Sequence, residues 1–289
     1  MSRHFDRPSA DWIDLLPGGI AASDAGPMSV AIIWRATTVH DGSLVYATNA
    51  GGFENNSLMP ISDSKLWHQI SGSFRSVQNY TTGQWRLDGW SKADGAAQTV
   101  RGHAYEYGGA WAHADYGTCN DSTLVPITNI RVGQKLGVGA LNGDVAVIAM
   151  VGAQWSDANF ESLTTALANW VTLIGASPAV LWAFNQAAVT DPVTDVLGGG
   201  GDQVGRSGTS IATDPPGFSY LLSTPTDCAV TVGLPTLGGA FGTSSLCTAA
   251  LTAPLPALDA HLSIGANIPP PLMTGTAVVR ALTGTATAT

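Results

Sequence analysis

Short apolar runs separated by turn residues dominate the first 155 positions. "MSVAIIWRATTV" (28–39), "QWRLDGWSKA" (84–93), "TVRGHAYEY" (99–107), "AWAHADYG" (110–117) and "DVAVIAMVGAQW" (144–155) are rich in β-branched and aromatic residues. Gly, Asn, Asp and Ser separate them, as turns require. Strand after strand with this punctuation predicts an all-β chain, an antiparallel jelly-roll β-sandwich. One stretch departs from the pattern. In "SDANFESLTTALANWVTLIG" (156–175), Phe160, Leu163, Leu167, Trp170, Val171 and Ile174 recur at helical spacing and make one apolar stripe. Ser156 and Asp157 offer an N-cap, Gly175 a C-terminal stop, and Pro178 follows. The reading is one short peripheral helix over 157–174, packed on the sandwich with Leu167 and Trp170 buried.

The pattern changes near residue 223. All nine tryptophans and all six tyrosines precede it. Residues 223–289 hold one aromatic, Phe241, and three charges, Asp227, Asp259 and Arg280. Such a segment is too poor in large side chains to build its own core and too uncharged for a solvated linker. Pro254, Pro256 and the run Pro269-Pro270-Pro271 favour extended backbone over helix. The expected organisation is a jelly-roll domain at 1–222 and an extended, β-rich C-terminal arm at 223–289. Extended chain needs partners for its backbone groups, which a neighbouring sheet edge or an identical arm supplies, so the arm is read as an assembly element.

Composition narrows the partners. Charged residues are 11% of the chain, against about 25% in ordinary domains. The net charge is −9 and only Lys65, Lys92 and Lys135 supply lysine. Counterion release from phosphate needs a cationic face, so no nucleic acid and no anionic membrane surface is expected. The first 16 residues contain no apolar signal core, and the longest apolar stretch, "WVTLIGASPAVLWAF", has 15 residues where a span needs about 20. A soluble chain is expected. The three cysteines, Cys119, Cys228 and Cys247, show no C-x-x-C spacing and read as free thiols, with a Cys228–Cys247 bridge left open.

Catalytic motifs fail one by one. No Lys follows the glycine run of "LWAFNQAAVTDPVTDVLGGGGDQVGRSGTSI" (181–211), which removes the P-loop, and Asp202 comes one residue too early for a calcium β-roll. The three glutamates, Glu54, Glu106 and Glu161, form no paired-carboxylate strand motif of a sandwich glycosidase. There is neither G-x-S-x-G nor H-E-x-x-H. No enzyme is expected, and no metal ligand is assigned. The hairpin 99–117 is the most informative local piece. With Gly108-Gly109 as a two-residue turn, Tyr107, Tyr105 and His103 face Ala110, Ala112 and Ala114 on a packed side. The other side then carries Glu106, Trp111, His113 and Asp115, an acid, an indole, an imidazole and a second acid. Such a set can hold a sugar by stacking and hydrogen bonds. The plain alternative is a solvated or subunit-facing sheet surface.

Several segments taken in order resemble a known family. "RHFDRPSADWIDL" followed by "GPMSVAIIWRATT" is similar to its first two strands, and "KLGVGALNGDVAVIAMVGAQWSDANFESL" to its closing strand, Gly-Asp turn, core strand and short helix. "LWAFNQ", "VTDVLGGGGDQVGRSGTSI" and "DPPGFSYLL" complete a match over residues 3–222. The family is the concanavalin A-like, laminin G-like jelly roll found in virion proteins of tailed bacteriophages, notably those of actinobacteria. The resemblance implies a structural virion protein, a minor tail or tail-tip component, with a lectin-like domain for host-surface glycan and an arm that joins identical chains as a homotrimer or docks to a larger virion protein. A capsid decoration protein is the alternative within that class, and a glycan hydrolase or lyase on the same fold the alternative outside it. Some family members bind calcium through loop carboxylates, but no ligand set carries over residue by residue, so no cofactor is assigned. The glycine run is expected to be a surface loop, with "GTSI" re-entering the sheet.

Overall fold

The computed structural model describes residues 2–16, 26–39, 44–49, 54–61, 65–70, 73–94, 98–119, 127–134 and 140–222. All belong to one unit, Met1–Leu222. The arm at 223–289, with Cys228 and Cys247, lies outside the described residues, as does the Cys119 side chain.

The first strands are β1 (Ser2–Phe5), β2 (Trp12–Leu15), β3 (Met28–Ala36), β4 (Val45–Asn49) and β5 (Glu54–Ile61). There follow β6 (Lys65–Ile70), β7 (Ser73–Asn79), β8 (Arg86–Lys92), β9 (Gln98–Glu106) and β10 (Trp111–Cys119). The last are β11 (Ile127–Val132), β12 (Gly143–Val151), β13 (Ala179–Ala183), β14 (Gln203–Ser207) and β15 (Ser210–Ala212). They make an antiparallel jelly-roll sandwich. One sheet runs β10-β9-β8-β3-β12-β1-β15, with β13 beside the second half of β12; the other runs β14-β2-β11-β4-β5-β6-β7. Each of the five apolar runs holds one strand: β3, β8, β9, β10 and β12. The N-terminal segments hold three strands where the resemblance implied two, because β1 and β2 both precede β3. Strands β4–β7 were not read from the sequence at all. Their segments mix Asn, Ser, Gln and Pro60 with isolated apolar residues, so no period of two stands out.

Alternation divides the large sheet into an inner and an outer face. On the inner side, Val30, Ile32 and Trp34 of β3 meet Ile13 and Leu15 of β2, Val45 of β4, and Ile130 and Val132 of β11 in one buried cluster. On the outer side, Ala31, Ile33, Leu87, Val147, Ala149 and Val151 are buried under Phe160, Leu163, Leu167, Trp170 and Ile174. The sheet needs a cover on both faces, which is why β12 is buried along its whole length and reads as a continuous apolar run.

That cover is not the single helix expected. It is α1 (Asp157–Glu161), a 3₁₀ turn at Ser162–Thr164, and α2 (Leu167–Ile174). Ala166 between them is extended, with φ −153° and ψ 143°. The break has a partner: Ser219 N–H donates to Thr165 O at 2.8 Å, and Leu167 N–H donates to Ser219 O at 2.8 Å. A passing segment thus takes the backbone groups that a continuous helix would have used. Leu167 and Trp170 are buried, and the Trp170 indole donates to Leu163 O at 2.8 Å.

The glycine run lies in a loop between β13 and β14. Asp195 organises it, accepting from Leu181 N and Leu197 N at 3.1 Å on one oxygen and from Gly199 N at 2.8 Å on the other. "GTSI" re-enters the large sheet as β15, pairing Ile211 with Arg3 of β1.

Candidate functional site

The β9–β10 hairpin turns earlier than the glycine pair suggests. Trp111 pairs with Tyr105, His113 with His103 and Asp115 with Arg101. The connection spans Tyr107 to Ala110, closed by Gly109 N–H donating to Glu106 O at 2.8 Å, with Gly108 at φ +90°. Tyr107 does not join the ladder because it is held elsewhere. Its N–H donates to Trp85 O at 2.9 Å and its hydroxyl to Thr164 O at 3.0 Å. The register therefore shifts by one residue, and a one-residue shift changes which side chains share a face.

The consequence for the four expected site residues is direct. Trp111, His113 and Asp115 stand together on the outer face, beside Tyr105, His103 and Arg101 rather than Glu106. Glu106 stands on the inner face. There it accepts from Thr81 N at 2.9 Å and Thr81 Oγ1 at 3.3 Å, with Arg86 Nη1 at 3.4 Å. Arg86 is buried and clamps Asp88, which also accepts the Trp34 indole N–H at 2.6 Å. Glu106 thus belongs to a structural ion-pair network and not to the outer row.

The outer row is aromatic and closely stacked. Trp111 lies 5.0 Å from Tyr105 and 5.3 Å from His113, at 23° and 7° between planes. His103 stacks on Phe160 of α1 at 3.8 Å and 13°. Room for that ring comes from Gly89 on β8, where an added Cβ would fall 2.5 Å from Phe160 and 2.3 Å from Val30 O. His103 is fully buried, and burial pushes its imidazole down to about 3, with His113 and Arg101 adding to the effect and Asp157 and Asp115 opposing it. It is neutral at ordinary pH.

Helix α1 brings in the carboxylates. A capping box fixes its start: Asn159 N–H donates to Ser156 Oγ at 3.3 Å, and Ser156 N–H to Asn159 Oδ1 at 2.9 Å. Asp157 and Glu161 are four residues apart and so share one helix face, turned to the hairpin. Arg101 Nε donates to Asp157 Oδ1 at 2.6 Å while its Nη1 donates to Asp115 at 2.9 Å. The bond from Arg101 holds the Asp157 carboxyl below its ordinary range. His113 Nε2 lies 3.2 Å from Glu161 Oε1, and His103 Nε2 lies 3.2 Å from Ser91 Oγ. The two Nδ1 atoms face each other at 2.9 Å, with Asp157 Oδ1 at 3.5 and 3.6 Å from them.

Arg101, His103, Tyr105, Asp157 and Glu161 were not among the residues chosen from sequence. The signal was present only as two histidines placed symmetrically about the turn, and it required the correct register to read.

No family model matches the chain, and no curated protein does. Among solved structures, a heptameric SAP-like pentraxin from Limulus polyphemus aligns at 13% identity over 56% of this chain and 80% of that one, with TM-score 0.40. Domains LG4-5 of the mouse laminin α1 chain align at 10% identity over 54% and 43%, also with TM-score 0.40. Trypanosoma rangeli sialidase with sialic acid aligns at 12% identity over 48% and 23%, with TM-score 0.38. The chain spans less than half of the laminin and sialidase chains. None of the three brings a site residue to this protein.

Proposed function

We propose that this chain is a structural virion protein, a minor tail or tail-tip component, whose jelly roll is displayed outward to hold a host-surface glycan. The observation that supports it is the row Tyr105, Trp111 and His113 on the outer face of the two outermost strands of the large sheet, β9 and β10, with Asp115 exposed at its end. Sugar rings need a flat apolar surface beside hydrogen-bonding groups, and this row supplies both. The virion assignment rests on the ordered sequence resemblance and on the nearly uncharged arm, which we assign to assembly with identical chains or a larger virion protein.

Purified chain is to be tested for adsorption to host cells and isolated cell-wall glycan. Trp111→Ala is expected to lower adsorption at least tenfold while circular dichroism stays unchanged. Unaltered adsorption by the folded variant would return the row to an ordinary sheet surface. Clear turnover of the polysaccharide would instead establish an enzyme. Deleting residues 224–289 is expected to leave a folded domain that sediments as a monomer; a truncated chain that still assembles would remove the arm from this role.

A further inference from the structure

We propose that His103, His113 and Asp157 bind one divalent transition-metal ion of the zinc type, through both Nδ1 atoms and Oδ1. The inference does not rest on glycan binding, although His113 belongs to both groups of residues. The three ligand atoms lie within 4.8 Å of one another, with separations of 2.9, 3.5 and 3.6 Å. In a tetrahedral site with bonds of about 2.0–2.1 Å, neighbouring ligand atoms are about 3.3–3.4 Å apart. The triangle already has the dimensions of one face of such a site.

The opposite side of each ring is equally specific. A metal-bound imidazole ordinarily gives its other N–H to an oxygen, which fixes the tautomer and aims the lone pair. His113 Nε2 faces the Glu161 carboxylate at 3.2 Å. A carboxylate only accepts, so this nitrogen carries a proton, and in the neutral ring that a metal requires His113 Nδ1 is then the bare one. His103 Nε2 faces the Ser91 hydroxyl at 3.2 Å. A hydroxyl both donates and accepts. Without metal, Ser91 donates to His103 Nε2 and His103 Nδ1–H donates to His113 Nδ1. With metal, Ser91 rotates, His103 carries its proton on Nε2, and both Nδ1 lone pairs face the ion. Loading the site asks for a hydroxyl rotation and a tautomer change, with no rearrangement of the chain.

Charge agrees. Asp115 and Asp157 pair with Arg101 and Glu161 with His113, so among the described residues, with neutral imidazoles, this cluster carries two net negative charges. A divalent ion cancels them. Arg101 is a positioning residue, holding Asp157 from one side while Oδ1 keeps a lone pair for the metal. Two imidazole nitrogens select zinc-like ions over calcium, which prefers an all-oxygen shell. Three protein ligands leave a fourth position for water, and Asp157 is 34% exposed, so that position opens to solvent.

Full-length protein, stripped with chelator, is to be titrated with zinc chloride alone by calorimetry. One ion per chain is expected, with a rise in melting temperature and no response to calcium chloride. His113→Ala and Asp157→Asn, which leave every cysteine in place, are expected to lose at least 100-fold in affinity. Glu161→Gln, acting through the orientation of His113, is expected to lose about 10- to 100-fold. Imidazole ¹⁵N shifts should place zinc on Nδ1 of both histidines. Absence of zinc binding to the wild type overturns the proposal. So does wild-type affinity in a folded His113→Ala or Asp157→Asn variant, or coordination through Nε2.

Discussion

The centre of the outer sheet face and its edge at β9–β10 lie under the same helical segment but grip it differently. At the centre, Ile33, Leu87, Val147 and Val151 press against Leu163, Leu167, Trp170 and Ile174, with no charge among them. At the edge, Arg101, His103, His113 and Asp115 meet Asp157 and Glu161 through hydrogen bonds and ion pairs. Phe160 marks the boundary, buried with the apolar cluster yet stacked on His103. Apolar contact tolerates small shifts and is strong per residue, whereas the polar edge is weak in stability and exacting in geometry. The centre holds the cover on; the edge sets where its carboxylates fall.

Removing the centre should have the largest effect. Trp170→Ala deletes a fully buried side chain and its bond to Leu163 O, and is expected to destabilise by about 3–5 kcal/mol. Urea unfolding read by fluorescence and circular dichroism checks this. A loss under about 1 kcal/mol would show that the helical cover contributes little.

A smaller effect should appear on acidification. His103 has an unfolded value near about 6.5 and is pushed down to about 3 in the fold, facing His113 and Asp115 on β10, Arg101 on β9 and Asp157 on α1. The unfolded chain therefore binds the proton first. Stability from this group is complete above pH of about 6.5 and is lost as pH falls toward 3, at up to about 1.4 kcal/mol per pH unit. Measured with chelator present, the urea midpoint of the wild type should fall between pH 6.5 and 4.5 more steeply than that of His103→Phe. Parallel curves would remove His103 as the cause.

The smallest effect belongs to the exposed end of the edge. Asp115 is 60% exposed, so Asp115→Ala should change stability by about 0.2–1 kcal/mol or less, and the difference should vanish in high salt. A larger loss that salt does not reduce would mean the edge is held as firmly as the centre.

The same contrast explains what could be read from the sequence. The centre was legible because β12 and β3 are unbroken apolar runs and because Leu167, Trp170 and Ile174 keep helical spacing. The break at Ala166 was not, since the cause is Ser219, more than fifty residues downstream. At the edge the residue types were visible, but their grouping depended on whether Tyr107 joins the turn. That choice is made by Trp85 and Thr164, which no local pattern reveals. Asp157 was noticed as part of an N-cap, and its place beside two histidines follows only from the packing of α1.

The placing of β1 and β2 carries a consequence for how the protein is made. β1 is sandwiched between β12 and β15, and β2 between β11 and β14. β1 and β2 are thus interior strands, one in each sheet, that are synthesised well before their last partners, which end at Ala212. At about 5–20 residues per second, they wait on the order of 10–40 s for those partners to be synthesised. Neither sheet can close in that interval, and the early strands keep open edges until translation of the domain is nearly complete.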